Sequence, residues 1–387
     1  MPETTPRCRL VARCLGAMLG ILGPSAAGQL PTVTDPGQGL VSLSSGTTAA
    51  AELSGITWLG GTNYLAVGDN GAQAIWRLTV GVDATTGRIT SSGVTGSIAA
   101  ALGTDSEGIA YQASTGNVFV SDEVASSITR FNATTGATIG GVTVPSIYAS
   151  ANVQSNMGLE SLAFGAGGLW TANEEALSPD GALSTTSQGS WVRIQRFDET
   201  LTAAGQWAYR TDPISAMTGL TTAERSGVVD ILPWTATTLL VLEREFGGSF
   251  IPDFRSRLYG VDLAGGSDVS AVASLATGSF TSLSKTLLWE GNFASTNFEG
   301  MTFGPTLASG AASLLLISDN GSGAGGQRQD LYALAVVPEP ASITLLLVAG
   351  AFLLRRRTKL VSFRNGFLNL PLKLPHPRLA ITHVGLE

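Results

Sequence analysis

The sequence predicts an all-β chain folded as a β-propeller. Three observations carry that expectation. Short β-branched and aromatic runs are bounded by turn signals such as Gly68-Asp69-Asn70-Gly71, Thr85-Thr86-Gly87 and Thr134-Thr135-Gly136. No long helical periodicity runs through residues 28–337, and short strands punctuated by such turns read as all-β. A unit of strand, acid and turn also recurs along the chain, and repeats of roughly 40–50 residues with four strands each are propeller blades. A pair of β-sandwiches is the alternative architecture.

Each unit opens with an acid before a small or apolar pair, as in Asp105-Ser106-Glu107-Gly108-Ile109-Ala110. A second strand ends in acid, as in Val118-Phe119-Val120-Ser121-Asp122-Glu123, and a third carries Arg or Tyr between apolar residues, as in Ile128-Thr129-Arg130-Phe131. The openers Ser54, Glu107, Glu160, Asp230 and Glu299 are 53, 53, 70 and 69 residues apart. These intervals exceed an ordinary blade, so long connecting loops are expected. Five blades are visible, with room for a sixth in the long third or fourth interval. The segment Leu40-Val41-Ser42-Leu43 is another candidate for completing it.

The two ends read as addresses. Arg7, Arg9 and Arg13 precede an apolar run at 15–22 and the small residues Ser25-Ala26-Ala27. This is the pattern of a secretory signal peptide, a helix spanning residues 1–27 that is removed on export. Both cysteines, Cys8 and Cys14, would leave with it, and Arg13 before Cys14 excludes a lipoprotein site. At the other end, Val337-Pro338-Glu339-Pro340-Ala341-Ser342 leads into a short apolar helix at 343–354 and then Arg355-Arg356-Arg357. That run is shorter than the ~20 residues that span a bilayer comfortably, and the arginines would stay cytoplasmic. Residues 338–357 resemble the PEP-CTERM sorting signal of Gram-negative bacteria. The resemblance implies processing by an exosortase-type enzyme and a protein exported to the cell envelope or beyond, transiently anchored in the membrane. A plain C-terminal anchor makes nearly the same localisation. Residues 358–387, with His376 and His383, extend past the usual end of such a signal and are expected to be a disordered tail.

The central domain, 28–337, narrows the chemistry. Charged residues make up 13% of the chain, about half the roughly 25% usual for soluble domains. The domain holds 12 Lys and Arg against 26 Asp and Glu, a net charge of −14, which leaves no basic field for nucleic acid. It has no His and no Cys, so zinc, iron and copper sites of ordinary type are excluded, as is a Ser-His-Asp triad. Gly321-Ser322-Gly323-Ala324-Gly325-Gly326 matches G-x-G-x-x-G but leads into a strand, so it reads as a hairpin loop rather than a nucleotide cradle. If each opener starts an innermost strand, closure of the ring brings carboxylates to one axis. They repel unless a cation lies among them, and oxygen-only ligands suit Ca²⁺. The candidate ligands are Glu52, Asp69, Glu107, Asp122, Glu160, Glu174, Asp230, Glu243, Glu299 and Asp319. Each acid has a simpler alternative role, accepting backbone N–H bonds to pin a turn.

Four ordered segments, Asp105-Ser106-Glu107-Gly108-Ile109-Ala110, Leu169-Trp170-Thr171-Ala172-Asn173-Glu174-Glu175-Ala176-Leu177, Leu239-Leu240-Val241-Leu242-Glu243-Arg244-Glu245-Phe246 and Asn297-Phe298-Glu299-Gly300-Met301, resemble the phytase-like domain, the esterase-like activity of phytase domain. The resemblance covers roughly residues 51–336. It implies a calcium-dependent hydrolase of a small phosphoester, with a metal-activated water attacking phosphorus. Glu107, Glu160 and Glu299 would hold calcium or polarise that water, with Asp122, Glu174 and Asp319 nearby. Arg244 would clamp the phosphate, a task suited to the guanidinium fork, unless it pairs with Glu243 or Glu245. Two other readings stand beside it: a surface- or matrix-associated propeller that binds a partner or glycan without catalysis, and a lactonase-like calcium propeller.

Overall fold

The computed structural model describes residues 30–43, 50–69, 71–154, 156–215, 224–247 and 252–338. The signal helix expected in 1–27, the apolar helix at 343–354 and the tail 358–387 lie outside the described residues.

Two short strands, β1 (Thr32–Thr34) and β2 (Val41–Ser42), precede the blades. Blade one contains β3 (Leu53–Gly60), β4 (Asn63–Gly68), β5 (Ala74–Val82) and β6 (Ile89–Ala99). Blade two contains β7 (Ser106–Gln112), β8 (Asn117–Asp122), β9 (Ser127–Asn132) and β10 (Thr138–Val142). Blade three contains β11 (Leu159–Gly165), β12 (Gly168–Asn173), β13 (Trp191–Phe197) and β14 (Ala203–Arg210). Blade four contains β15 (Arg225–Thr235), β16 (Thr238–Gly247), β17 (Asp253–Asp262) and β18 (Ser284–Ala294). Blade five contains β19 (Asn297–Thr306), β20 (Ala312–Asp319) and β21 (Asp330–Val337). Each blade is an antiparallel meander. The outer hairpins of blades one and two close on Asx turns, in which Asp83 accepts N–H bonds from Thr85 and Thr86, and Asn132 from Thr134 and Thr135. A side-chain oxygen that takes up two loop donors stabilises a tight reversal.

The first strands β3, β7, β11, β15 and β19 pack in sequence, and β19 returns to β3, so they surround a central axis. The fourth strand of blade five comes from the other end of the domain. β1 pairs with β21 in the register Thr32↔Val337, and β2 pairs with the start of β21, Val41↔Leu331. The segment at Leu40–Leu43 thus completes the fifth blade and not a sixth.

The described residues form five blades, and the length that suggested a sixth is spent on loops. The excursion between β12 and β13 carries Asp180, which is fully buried and grips the equally buried Arg193 through two bonds of 2.6 and 2.7 Å. Arg193 also donates to the carbonyls of Val269 and Val272, and Leu275 N–H donates to Asp180. The long loop of blade four is therefore locked onto that of blade three around one ion pair.

Between blades the chain is apolar. Leu65, Val67, Ile109 and Val120 fill the seam of blades one and two, and Phe119, Ile128, Leu159 and Leu162 that of blades two and three. Ile194, Val228 and Val241, then Leu242, Leu258, Phe298 and Met301, and finally Leu53, Ile56, Leu315 and Ile317 fill the remaining three. Burying each such side chain contributes about 1.5–3 kcal/mol, so the seams hold the ring together. Near the axis the inner strands approach closer than side chains permit. A Cβ on Gly55 would lie 2.3 Å from the Glu107 carbonyl oxygen, and one on Gly300 2.3 Å from that of Ser54. Gly55→Ala and Gly300→Ala should each cost about 1–3 kcal/mol in denaturant melts. Gly265→Ala, whose Cβ meets nothing within 4 Å, should stay within about 0.5 kcal/mol of the parent.

Candidate metal centre at the propeller axis

Every inner strand begins with a β-bulge. Pairing skips Ser54 between Leu53 and Gly55, Glu160 between Leu159 and Ser161, and Glu299 between Phe298 and Gly300. In blade two it skips Glu107 with Gly108, and in blade four it skips Val229. A bulge leaves one residue unpaired and re-aims its side chain, which is how the acids at 107, 160 and 299 leave the sheet ladder. The register corrects one expectation. Asp230 stands not with the openers but with the small residues Gly55, Ser161 and Gly300. Its two oxygens accept the N–H groups of Ile231 at 2.8 Å and Met301 at 2.6 Å, tying blade four to blade five. Val229, the true equivalent of the openers, belongs to the apolar cluster with Phe298 and Met301.

Opposite the bulges, the end of each second strand adds a second set: Asp69, Glu123, Glu174, Arg244 and Asp319. In blades one to three their N–H groups bond to the residue two before the opener, namely Glu52, Asp105 and Gly158. In blades four and five that residue, Gly227 or Asn297, pairs directly with Arg244 or Asp319. Sequence reasoning chose Asp122 and Glu243, each one residue short of this set, and missed Asp105 and Glu123. Asp122 accepts N–H bonds from Ala125 at 2.6 Å and Asp105 at 3.3 Å, so it shapes the loop that presents Asp105. Glu243 faces the seam of blades three and four, where it accepts from Tyr209 at 2.5 Å and pairs with Lys285 at 2.6 Å. The missing signal was the bulge itself, which shifts register by one or two residues without altering composition.

Two triads result, with carboxylate oxygens within 4.8 Å of one another: Asp105, Glu107 and Glu123, and Glu123, Glu160 and Glu174. Glu123 is common to both. Beside them, Asp319 and Glu52 raise the pKa of Asp69 together with its burial, so these three lie close as well. Arg244 is the cation bonded to these acids, and the charge of Arg225 also reaches Glu174. Arg244 Nη2 donates to Glu174 at 3.1 Å and to Glu299 at 3.3 Å, rather than to its chain neighbours Glu243 and Glu245. Asn297 also donates to Glu299, at 2.6 Å. Glycines make room for the acids: a Cβ on Gly227 would sit 2.5 Å from Glu174 Cγ.

Burial and mutual repulsion hold protons on this cluster. Burial, then the charge of Glu174, pushes Glu123 up to about 8. Burial, then Asp319, pushes Glu299 to about 8 against the pull of Arg244. Burial, then Asp319 and Glu52, pushes Asp69 to about 7. Glu107 and Glu160 are raised well above the carboxylate range by burial and then by each other's neighbours. The donor set is oxygen only, as hard divalent cations require. Glu123 Oε1 accepts the Gly158 N–H at 2.6 Å, but its Oε2 is buried with no donor. An unsatisfied buried carboxylate oxygen is costly, and a cation shared by a triad would satisfy it. These residues therefore fit a metal ion.

Past the bulges the same strands turn apolar. They line a cavity of about 280 Å³ with Ile56, Trp58, Tyr111, Leu162, Phe164 and Phe303, away from the acids.

Raised carboxylate pKa values mean that the folded state binds more protons than the unfolded chain between about pH 4 and pH 8. Stability of the metal-free protein should therefore fall as pH rises from 6 to 9, and saturating divalent cation should remove that slope, as read from Tm. Glu160→Gln should raise the metal-free Tm and shrink the rise produced by cation. Asp230→Ala should cost about 1–3 kcal/mol by orphaning two N–H groups, with or without cation.

The family model of the Phytase-like family, described as esterase-like activity of phytase, matches residues 48–321. No curated protein matches the chain. Solved structures similar to it include the PQQ-bound aldose sugar dehydrogenase of Streptomyces coelicolor, at 16% identity and a TM-score of 0.36, covering 80% of this chain and 100% of that one. The hydrazine synthase of Kuenenia stuttgartiensis matches at 11% identity and a TM-score of 0.32, over 70% of this chain and 57% of that one. The WD40 domain of Toxoplasma gondii coronin matches at 11% identity and a TM-score of 0.30, over 75% and 70%.

Proposed function

The chain belongs to the Phytase-like family, and from that premise we propose that it is a calcium-dependent phosphoester hydrolase working at the axial carboxylates. The observation that carries the proposal is the pair of triads sharing Glu123, buried except for the half-buried Asp105, with a guanidinium, Arg244, beside them. A divalent cation bound there would supply Lewis-acid polarisation and lower the pKa of a water. Calcium suits the site because it accepts many oxygen ligands in flexible geometry.

The protein's own groups do the rest. Asp105, Glu107, Glu123, Glu160 and Glu174 would supply the ligand oxygens; Asp122 shapes the loop that presents Asp105, and the bulges free Glu107 and Glu160 from the ladder. Arg244, already turned toward Glu174 and Glu299, presents a second edge to a phosphoryl oxygen, where charge builds as the bond to phosphorus forms. Glu299 holds a proton near neutral pH and stands next to Arg244, placing it to protonate a departing alcohol. The two sequence addresses, at 1–27 and 338–357, support an exported protein handled by an exosortase-type enzyme at the cell envelope.

Purified protein should hydrolyse a chromogenic phosphoester in Ca²⁺ and stop in chelator. Glu123→Gln, which weakens both triads at once, should lower kcat/KM by at least about a hundredfold, in line with the loss of one group that stabilises the transition state. Turnover that persists in chelator, or in Glu123→Gln, would refute the site.

A further inference from the structure

The far ends of the inner strands carry a ring of their own. Four residues beyond each opener position, the strands place Trp58, Tyr111, Phe164, Pro233 and Phe303 at one register level. The four aromatic members are half-buried and form a collar lining the cavity of about 280 Å³. Phe164 stacks on Phe119 at 5.9 Å and Phe303 packs on Trp234 at 5.8 Å, so each is braced by a second ring. Ile56, Ile109 and Leu162, two residues earlier, add an aliphatic wall.

The lining limits what can occupy this cavity. Among the described residues no charged side chain lines it, so an ionised ligand would be desolvated without a partner. The threonine oxygens are engaged: Thr57 Oγ1 accepts the Tyr111 N–H and Thr302 Oγ1 accepts the Trp58 N–H, both at 3.1 Å. A sugar would therefore bury hydroxyls with too few partners. Phe164 sits at the same register as Tyr111 and Trp58, but Ala110 stands in the place of those threonines and offers no acceptor. For Phe303 that place is filled by Leu232, whose bulk lines the cavity. The Phe164 N–H is thus the backbone donor left at the wall with room beside it, and such a donor needs an acceptor when shielded from water. Size narrows the choice further. Apolar cavities of about 150 Å³ hold benzene, so this one takes a single aromatic ring with a short substituent, and a helix, at least about 10 Å across, is too wide for it.

We propose that this cavity binds a small uncharged aryl ketone or aldehyde, its ring against the aromatic collar and its carbonyl oxygen accepting the Phe164 N–H. Aromatic walls favour an aromatic ligand through offset and edge-on contacts. A carbonyl is a compact neutral acceptor that one N–H satisfies, with no donor of its own to leave unpaired. The site lies away from the acids on the same strands, and the inference stands independently of the hydrolase reading.

The test titrates the full chain with acetophenone, followed by saturation-transfer NMR, beside ethylbenzene, benzoate and methyl glucoside. Acetophenone should bind with a Kd of about 1 mM or below, within reach of a ligand of its size. Ethylbenzene, which lacks the oxygen, should bind roughly fivefold more weakly, the contribution of one neutral hydrogen bond. Benzoate and the glucoside should bind at least about tenfold more weakly than acetophenone. Tyr111→Ala should weaken acetophenone and ethylbenzene alike, by about tenfold. Ala110→Ser, which places a hydroxyl where Thr57 has one, should abolish the advantage of acetophenone over ethylbenzene. Ca²⁺ and Glu123→Gln should leave both affinities unchanged, which separates this site from the axial acids. No saturable acetophenone binding below about 10 mM, binding unaffected by Tyr111→Ala, or equal binding of ethylbenzene, benzoate or the glucoside each overturns the inference and leaves the hydrolase reading untouched. If a variant fails to fold, the ligand series on the unaltered protein decides.

Discussion

Five strand starts converge on one axis, and charge delivered there has to be neutralised there. That constraint organises the molecule. The bulges that free Glu107, Glu160 and Glu299 from the ladder also press the strand backbones together at Gly55 and Gly300. The protein answers the repulsion in three ways. It retains protons, it places one arginine between Glu174 and Glu299, and it leaves Glu123 Oε2 open to a ligand. Away from the axis, the buried charges of Arg193 and Asp180 are matched to each other directly. Ion pairs of that kind are retained when every lone pair and proton has a partner.

Division of labour among the acids follows from register. An acid at the bulge joins the axial cluster, and the residue after it packs on the neighbouring blade. Asp230 occupies the second kind of place and behaves as a three-atom bridge between backbones. Glu299 occupies the first and lies in the field of Asp319 and Arg244. Two acids thus serve opposite ends, one tying blade four to blade five and the other standing among the axial charges.

Much of this was legible in the sequence. The acid before Gly or Ser at 107, 160 and 299 is visible because a bulge at a close strand contact needs a small residue next to it. The fold class followed from strand spacing and turn residues. What stayed hidden was register. In blade two the two-residue bulge makes Glu123, not Asp122, the axial group, and two adjacent acids look equivalent in a string. In blade four the axial position is Val229, and the eye moves to the nearest acid. The room left for a sixth blade was an arithmetic effect of the loops that meet around Arg193, since interval length records loop and strand alike.

The pairing of β1 with β21 has a consequence for how the molecule is made. Thr32 and Val337 stand at opposite ends of the domain, so the last blade stays a strand short until nearly the whole domain is available. Closing so long a loop costs entropy before any contact rewards it, and topologies rich in distant pairings assemble slowly. The ring is therefore an end-stage product of folding. The axial site, which draws on all five blades, is completed only when the first segment of the domain finds the last.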